Sequence, residues 1–300
     1  MISARSLALS LVLVGSGTAC RETPQAKAAQ LRSVEAARKQ ELARRVAAVD
    51  AGPDKDAPIA KWIMPPELRE ISGLALTKNG TVLAHDDEIS RITEIDPRTG
   101  VILRRFALVG ARHGDFEAIT IAGSDVYLLE SDGKIFKFKM GEDGTEVPYT
   151  LFDTGLGKEC EFESMAFEPD SSRLLLACKK SKQKGDHDLT IYGLALPLKK
   201  SETPSVMTIA LKDVVGDNKW KSFRASDLAI DPVTHNYVLV ASKDKGLVVI
   251  TPDGEVVKSI PLPPGHNQAE GVAITTDDLL LVSDESNHAP AAITVYRWHR

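Results

Sequence analysis

The rhythm of apolar and polar positions changes once along this chain, near residue 58. From about Ala26 to Ala47, Leu31, Val34, Leu42 and Val46 form a thin apolar stripe at helical spacing among Ala, Glu, Lys and Arg. That pattern predicts a helix, and the charges on every other side predict a solvated stalk. Asp50-Ala-Gly-Pro-Asp-Lys-Asp-Ala-Pro58 has charge, Gly and Pro without apolar residues, which predicts a linker. Beyond it, short runs rich in Val, Leu, Ile and Tyr are bounded by Gly, Asp, Asn and Ser, the pattern of strands joined by turns.

One phrase heads these runs five times: Glu70-Ile-Ser-Gly-Leu-Ala-Leu76, Asp115-Phe-Glu-Ala-Ile-Thr-Ile121, Glu161-Phe-Glu-Ser-Met-Ala-Phe167, Arg224-Ala-Ser-Asp-Leu-Ala-Ile230 and Gln268-Ala-Glu-Gly-Val-Ala-Ile274. Its third residue is Ser72, Glu117, Glu163, Ser226 and Glu270, at separations of 45, 46, 63 and 44. Periods of this length mark propeller blades or solenoid units. Second strands are predicted at Val82–His85, Val126–Glu130, Leu174–Cys178, Tyr237–Ser242 and Leu279–Ser283. Third strands are predicted at Ile92–Ile95, Ile135–Phe138, Thr190–Leu196, Leu247–Ile250 and Ile293–Trp298, and fourth strands at Val101–Leu108, Val147–Phe152, Ser205–Leu211 and Glu255–Ile260. Asp96-Pro-Arg-Thr-Gly100 and Thr251-Pro-Asp-Gly254 supply turns, with Pro presetting one dihedral and Gly accepting a positive one.

The fifth repeat ends without a fourth strand, and Ile59–Met64, just before the first phrase, is the candidate to supply it. The expectation is an all-β, five-bladed propeller over residues 58–300, closed by an N-terminal strand that leaves no open sheet edge. A sixth blade would need residues that the chain does not have to spare.

Composition adds an address. Arg5 precedes an apolar run from Leu7 to Val14, too short to span a bilayer and suited to the core of a secretory signal. Gly15-Ser-Gly-Thr-Ala19 then leads to Cys20 in a segment that resembles a bacterial lipobox, whose cysteine carries lipid. Residues 1–20 are thus expected to be a signal segment, 21–57 a helical stalk and linker, and the protein a membrane-anchored envelope lipoprotein; secretion as a soluble or periplasmic protein is the alternative. Export would let Cys160 and Cys178, on neighbouring strands of one hairpin, pair as a disulfide, and two small buried thiols are the other reading. The net charge of -5 and 5% aromatic content exclude the basic stripe and interleaved aromatics of a nucleic-acid binder.

The phrases together, with Leu174-Leu-Leu-Ala-Cys-Lys179 and Leu281-Val-Ser-Asp-Glu285, resemble the SdiA-regulated family of bacterial envelope propellers across roughly residues 65–300. The resemblance implies a propeller and an exported or membrane-anchored protein, and it implies no particular reaction.

First strands of a propeller run side by side along its channel, so Ser72, Glu117, Glu163, Ser226 and Glu270 should form a ring. Asp227 stands beside it, and Glu70, Asp115, Glu161 and Gln268 lie one alternate position nearer the mouth. Antiparallel pairing brings the ends of the second strands to the same mouth: His85, Asp86, Asp87, Glu130, Lys179, Lys243, Asp284 and Glu285. Clustered carboxylates call for a positive partner. Calcium, which takes six to eight oxygen ligands, is one candidate, with Glu117, Glu163 and Glu270 as its ligands. Lys179 and Lys243 are the other, making the array a structural network.

The loop Lys179–Asp188 is basic and would overhang the mouth, either as a lid for an anionic ligand or as a solvated loop. The seven histidines do not cluster; His113, His266 and His288 could approach the mouth on loops, and the plainer reading of a lone loop histidine is a polar surface residue. No Gly-x-Ser-x-Gly, His-Glu-x-x-His, phosphate-loop or Cys-x-x-Cys motif occurs. The functional expectation is a non-enzymatic propeller binding a cation, a small ligand or a protein partner at an acidic mouth. The alternative is a calcium-dependent hydrolase of lactonase or phosphoesterase type, with Asp284 or His85 as base.

Overall fold

The computed structural model describes residues 24–300 other than 111, 184, 186, 201 and 202, with side chains from residue 29 onward. The signal segment and Cys20 lie outside the described residues. Helix α1 (Pro24–Ala51) is followed by strand β1 (Ala60–Ile63) and five sheets around an axis. Blade 1 contains β2 (Ile71–Leu76), β3 (Val82–Asp86), β4 (Arg91–Asp96) and β5 (Val101–Leu108). Blade 2 contains β6 (Phe116–Ala122), β7 (Asp125–Glu130) and β8 (Lys134–Lys139); after the two-residue β9 (Glu146–Val147), β10 (Tyr149–Asp153) completes it. Blade 3 contains β11 (Cys160–Glu168), β12 (Arg173–Ser181), β13 (Leu189–Ala195) and β14 (Ser205–Ile209). A short helix α2 (Leu211–Val215) leads to blade 4, with β15 (Asp227–Ile230), β16 (Tyr237–Ala241), β17 (Gly246–Ile250) and β18 (Val256–Pro261). Blade 5 contains β19 (Ala269–Ile274), β20 (Leu279–Asp284) and β21 (Ala292–Arg297), and its outer strand is β1.

The ring is closed as the repeat count predicts. β1 pairs antiparallel with β21, Ala60 opposite Val295 and Ile63 opposite Ala292, so the edge of the last blade is covered by the start of the propeller. Trp62 locks this closure to blade 1: its Nε1 donates to the Pro97 carbonyl at 2.8 Å, and its ring lies 2.7 Å from where a Cβ on Gly100 would stand. Gly100 also has φ +69°, so the turn needs glycine for both conformation and space.

Middle strands read as unbroken apolar runs because both their faces are buried between blades. In β16, Tyr237, Leu239 and Ala241 join the core shared with blade 3, while Val238 and Val240 join the core shared with blade 5. The same alternation builds a core at each of the five junctions.

Three local differences from the sequence expectation have physical causes. Val147 is not part of the outer strand of blade 2; Pro148 lacks an N–H and interrupts the run, and Val147 pairs in parallel with Leu108 of blade 1. Leu211 does not extend β14 but opens α2, its N–H bonded to Asp188 Oδ1 at 2.9 Å. Finally, α1 is not solvated on every side. Leu42 and Val49 are buried in the junction of blades 5 and 1, and Arg38 Nη1 donates to the Thr99 carbonyl at 2.8 Å. Arg297 ties Asp50 at 3.0 Å, so the helix docks on the sheet edge that β1 closes.

Candidate functional site

The recurring phrase owes its effect to an irregularity. In β2, β6, β11 and β19 the antiparallel register slips at the phrase: Phe116 faces Glu130 and Ala118 faces Leu129, with Glu117 left over between them. Glu163 and Glu270 are left over in the same way, and Ser72 and Gly73 fall in the corresponding gap of β2. A bulge of this kind re-aims one side chain out of the alternation. Here it turns the marker residues toward the channel.

Two serines of the ring and Ser283 of β20 stitch the neighbouring blades together. Ser72 Oγ donates to the Glu117 carbonyl at 3.4 Å, Ser283 Oγ to the Ser72 carbonyl at 2.9 Å, and Ser226 Oγ to the Ala269 carbonyl at 2.6 Å. Asp227 spans the channel, its Oδ2 accepting from Val272 N–H at 2.8 Å and Leu74 N–H at 3.3 Å. Complete burial holds its carboxyl well above the ordinary range, and Oδ1 is buried with no hydrogen-bond partner.

The three glutamates gather around Lys179, which reaches inward from β12. Its ammonium forms an ion pair with Glu163, whose Oε2 is buried without a hydrogen-bond partner. Burial raises the Glu117 carboxyl, the charge of Asp115 adds to that, and Lys179 opposes it. Burial also pushes Glu270 up to about 7, against the opposing effects of Lys179 and the Ser242 hydroxyl. One lysine thus faces three carboxylates, and protons remain on part of the set near neutrality.

A second tier lies beyond this ring. Glu70, Asp87 and Glu285 each bring one carboxylate oxygen into a group whose members lie within 4.8 Å of one another. Burial pushes Asp87 up to about 6, reinforced by the charges of Glu70 and Asp86, and its Oδ1 is buried without a partner. Glu285 is raised by burial, then by a hydrogen bond shared with Glu70, and it accepts from the Gln268 side-chain amide. The sequence placed all three at the mouth but offered no reason to join them, because they come from the head of blade 1, the end of β3 and the end of β20.

The remaining candidates are spread around this centre. Asp86 holds the turn after β3, its Oδ1 accepting from Glu88 and Ile89 N–H at 3.1 and 3.0 Å. Asp115 is exposed and accepts from the Ser131 hydroxyl. Glu130 is buried beside Arg112 and Lys134, at 4.0 and 3.9 Å. Glu161 faces Lys180 across the β11–β12 ladder, and Lys243 is exposed on the turn after β16. Cys160 and Cys178 form a disulfide across β11 and β12, Cα atoms 5.8 Å apart, immediately before Lys179.

Two histidines have structural roles. His85 is buried, with Nε2 accepting from Gly73 N–H at 3.1 Å and Nδ1 on the Asp86 carbonyl at 3.2 Å; burial lowers it to about 4 and keeps it neutral. His266 is not the surface loop residue that its position suggested. It is buried, with Nδ1 2.6 Å from Asp284 Oδ2 and Nε2 2.7 Å from the Tyr296 hydroxyl. The backbone turns inward at Gly265, φ +106°, just before it.

Among the described residues, no helix is long and apolar enough to cross a membrane. No curated protein matches the sequence. Solved structures resemble it in fold. The PQQ-bound form of an aldose sugar dehydrogenase from Streptomyces coelicolor superposes with a TM-score of 0.57 at 14% identity, covering 80% of this chain and 97% of that one. A luciferin-regenerating enzyme gives 0.50 at 10% identity, covering 81% and 98%. Residues 216–298, which hold the phrases of blades 4 and 5 and the Leu281–Glu285 run, match the SdiA-regulated family model.

Proposed function

We propose that this propeller is a binding module whose acidic mouth takes a divalent cation, calcium first, as the seat for a small ligand or a protein partner. The observation that carries the reading is the convergence of Glu70, Asp87 and Glu285 within 4.8 Å. The donor set is all oxygen, which suits calcium, and the buried unpartnered Asp87 Oδ1 offers a further ligand atom. A cation there would replace the protons that these crowded carboxylates retain. Glu117 and Glu270 would form the tier beneath, with Glu163 already neutralised by Lys179.

Binding is favoured over hydrolysis by what the two candidate bases already do. Asp284 is held by His266 and accepts from Gln268 N–H at 3.3 Å, and His85 has both ring nitrogens on backbone groups. The Cys160–Cys178 disulfide suits an oxidising envelope, with lipid on Cys20 as the proposed membrane anchor.

The test is the melting temperature with calcium and with chelator, for the wild type and Glu285→Gln. Calcium at about a hundred times its dissociation constant should stabilise the wild type by about 2.7 kcal/mol and leave the variant nearly unmoved. No calcium response in the wild type refutes the cation; turnover of an ester, lactone or phosphoester substrate refutes the non-enzymatic reading.

A further inference from the structure

Beside the acidic mouth lies a cavity of opposite character, between the loop after β12 and the segment Ser222–Arg224. Its volume is about 280 Å³. Phe223 and Cys178, both buried, line it, and Cys178 is held by the disulfide to Cys160. The walls carry Lys179, Lys180, Lys182 and Arg224, with His187 and the hydroxyls of Ser181 and Ser222 between them.

The charges are unevenly committed. Lys179 belongs to Glu163, and Lys182 donates to the Gly157 carbonyl. Among the described residues of the lining Asp188 is the acidic one, and its Oδ1 accepts from Leu211 N–H. Asp244 stands behind the wall and holds it in place, accepting from Arg224 N–H and the Ser222 hydroxyl, both at 2.9 Å. Among the described residues no carboxylate pairs with the Arg224 guanidinium or the Lys180 ammonium. A half-buried guanidinium on a pinned backbone, flanked by ammonium groups and hydroxyls, is built to grip an oxyanion from two sides. The cavity is near the lower end of the range for small-ligand sites, so it suits a small molecule rather than a polymer.

We propose that this cavity is a binding subsite for the phosphate or carboxylate group of a small molecule, with Arg224 as its principal contact and Lys180 and Lys182 as supporting charges. It shares no residue with the Glu70, Asp87 and Glu285 cluster, so it stands or falls apart from the cation reading.

Titration calorimetry of the full-length protein in chelator, with inorganic pyrophosphate and with succinate as probes, tests it. At least one probe should bind, more weakly as salt rises, and whichever binds names the class of group. Arg224→Gln should weaken that binding by about tenfold or more with the melting temperature unchanged, as expected for loss of a charge-assisted contact. Glu285→Gln should leave it intact while losing the calcium response, which separates this subsite from the cation site. Absence of binding to the wild type, equal binding by Arg224→Gln, or an equal loss in Lys243→Gln, a lysine outside the cavity, would overturn the assignment.

Discussion

The two ends of the channel are built by the same five strands and differ completely. At one end Glu117, Glu163 and Glu270 crowd around Lys179 under the Glu70, Asp87 and Glu285 cluster. At the other, Leu76, Ile121, Phe167, Ile230 and Ile274 surround a cavity of about 130 Å³. The difference lies in the ladder. The acidic end begins at bulged positions in four of the five blades, where residues leave the alternation, whereas the later residues of the phrase are paired regularly. A channel of this design holds its shape from the apolar end and accumulates charge at the other.

The largest expected effect is at the apolar end. Leu228→Asp places a carboxylate in the buried junction of blades 3 and 4 and should cost about 4 kcal/mol or prevent folding. A loss under about 1 kcal/mol in urea denaturation would mean that this end is not sealed, since an unpaired buried charge costs far more.

The next effect belongs to the clamp beneath Lys179. Joint substitution Cys160→Ser and Cys178→Ser should lower stability by about 3 kcal/mol, read from the urea midpoint beside that of the disulfide-bonded protein. Wild type treated with reductant should shift to the same midpoint.

Glu270→Gln should act in the opposite direction. The folded protein keeps a proton on Glu270 up to about pH 7, whereas the unfolded chain releases it near 4.5, so this group makes stability fall as pH rises across that window. Asp87, raised to about 6, acts with the same sign. His85 acts oppositely: lowered to about 4, it is neutral in the fold while the unfolded chain binds its proton below about 6.5, so its contribution rises with pH. The difference between Glu270→Gln and wild type therefore isolates one carboxylate. In the absence of calcium it should be near zero at pH 4 and favour the variant by on the order of 2 kcal/mol at pH 8. A variant less stable than wild type at pH 8 would mean that Lys179 more than offsets the crowding.

Lys243→Gln is the smallest. An exposed lysine on a turn should shift stability by less than about 0.5 kcal/mol, and a larger loss would give Lys243 the role in the ring that Lys179 has here.

How far the sequence could be read depended on how local each feature is. The blade period, the turn at Asp96–Gly100 and the closing strand are carried by neighbouring residues, so they were legible. Val147 and Leu211 were misplaced at strand ends, where one Pro or one side-chain cap from Asp188 outweighs propensity. His266 was misread because its partners, Asp284 and Tyr296, lie 18 and 30 residues away.

The sequence by itself determined the five-blade ring, its strand order and the polar character of one channel end, because these follow from side-chain alternation repeated at a near-constant period. Only the tertiary structure decided which carboxylates meet, that Lys179 rather than Lys243 pairs within the inner ring, and that a basic cavity adjoins the acidic mouth. Those outcomes depend on bulges and on segments from different blades coming within a few ångströms, which no local pattern encodes.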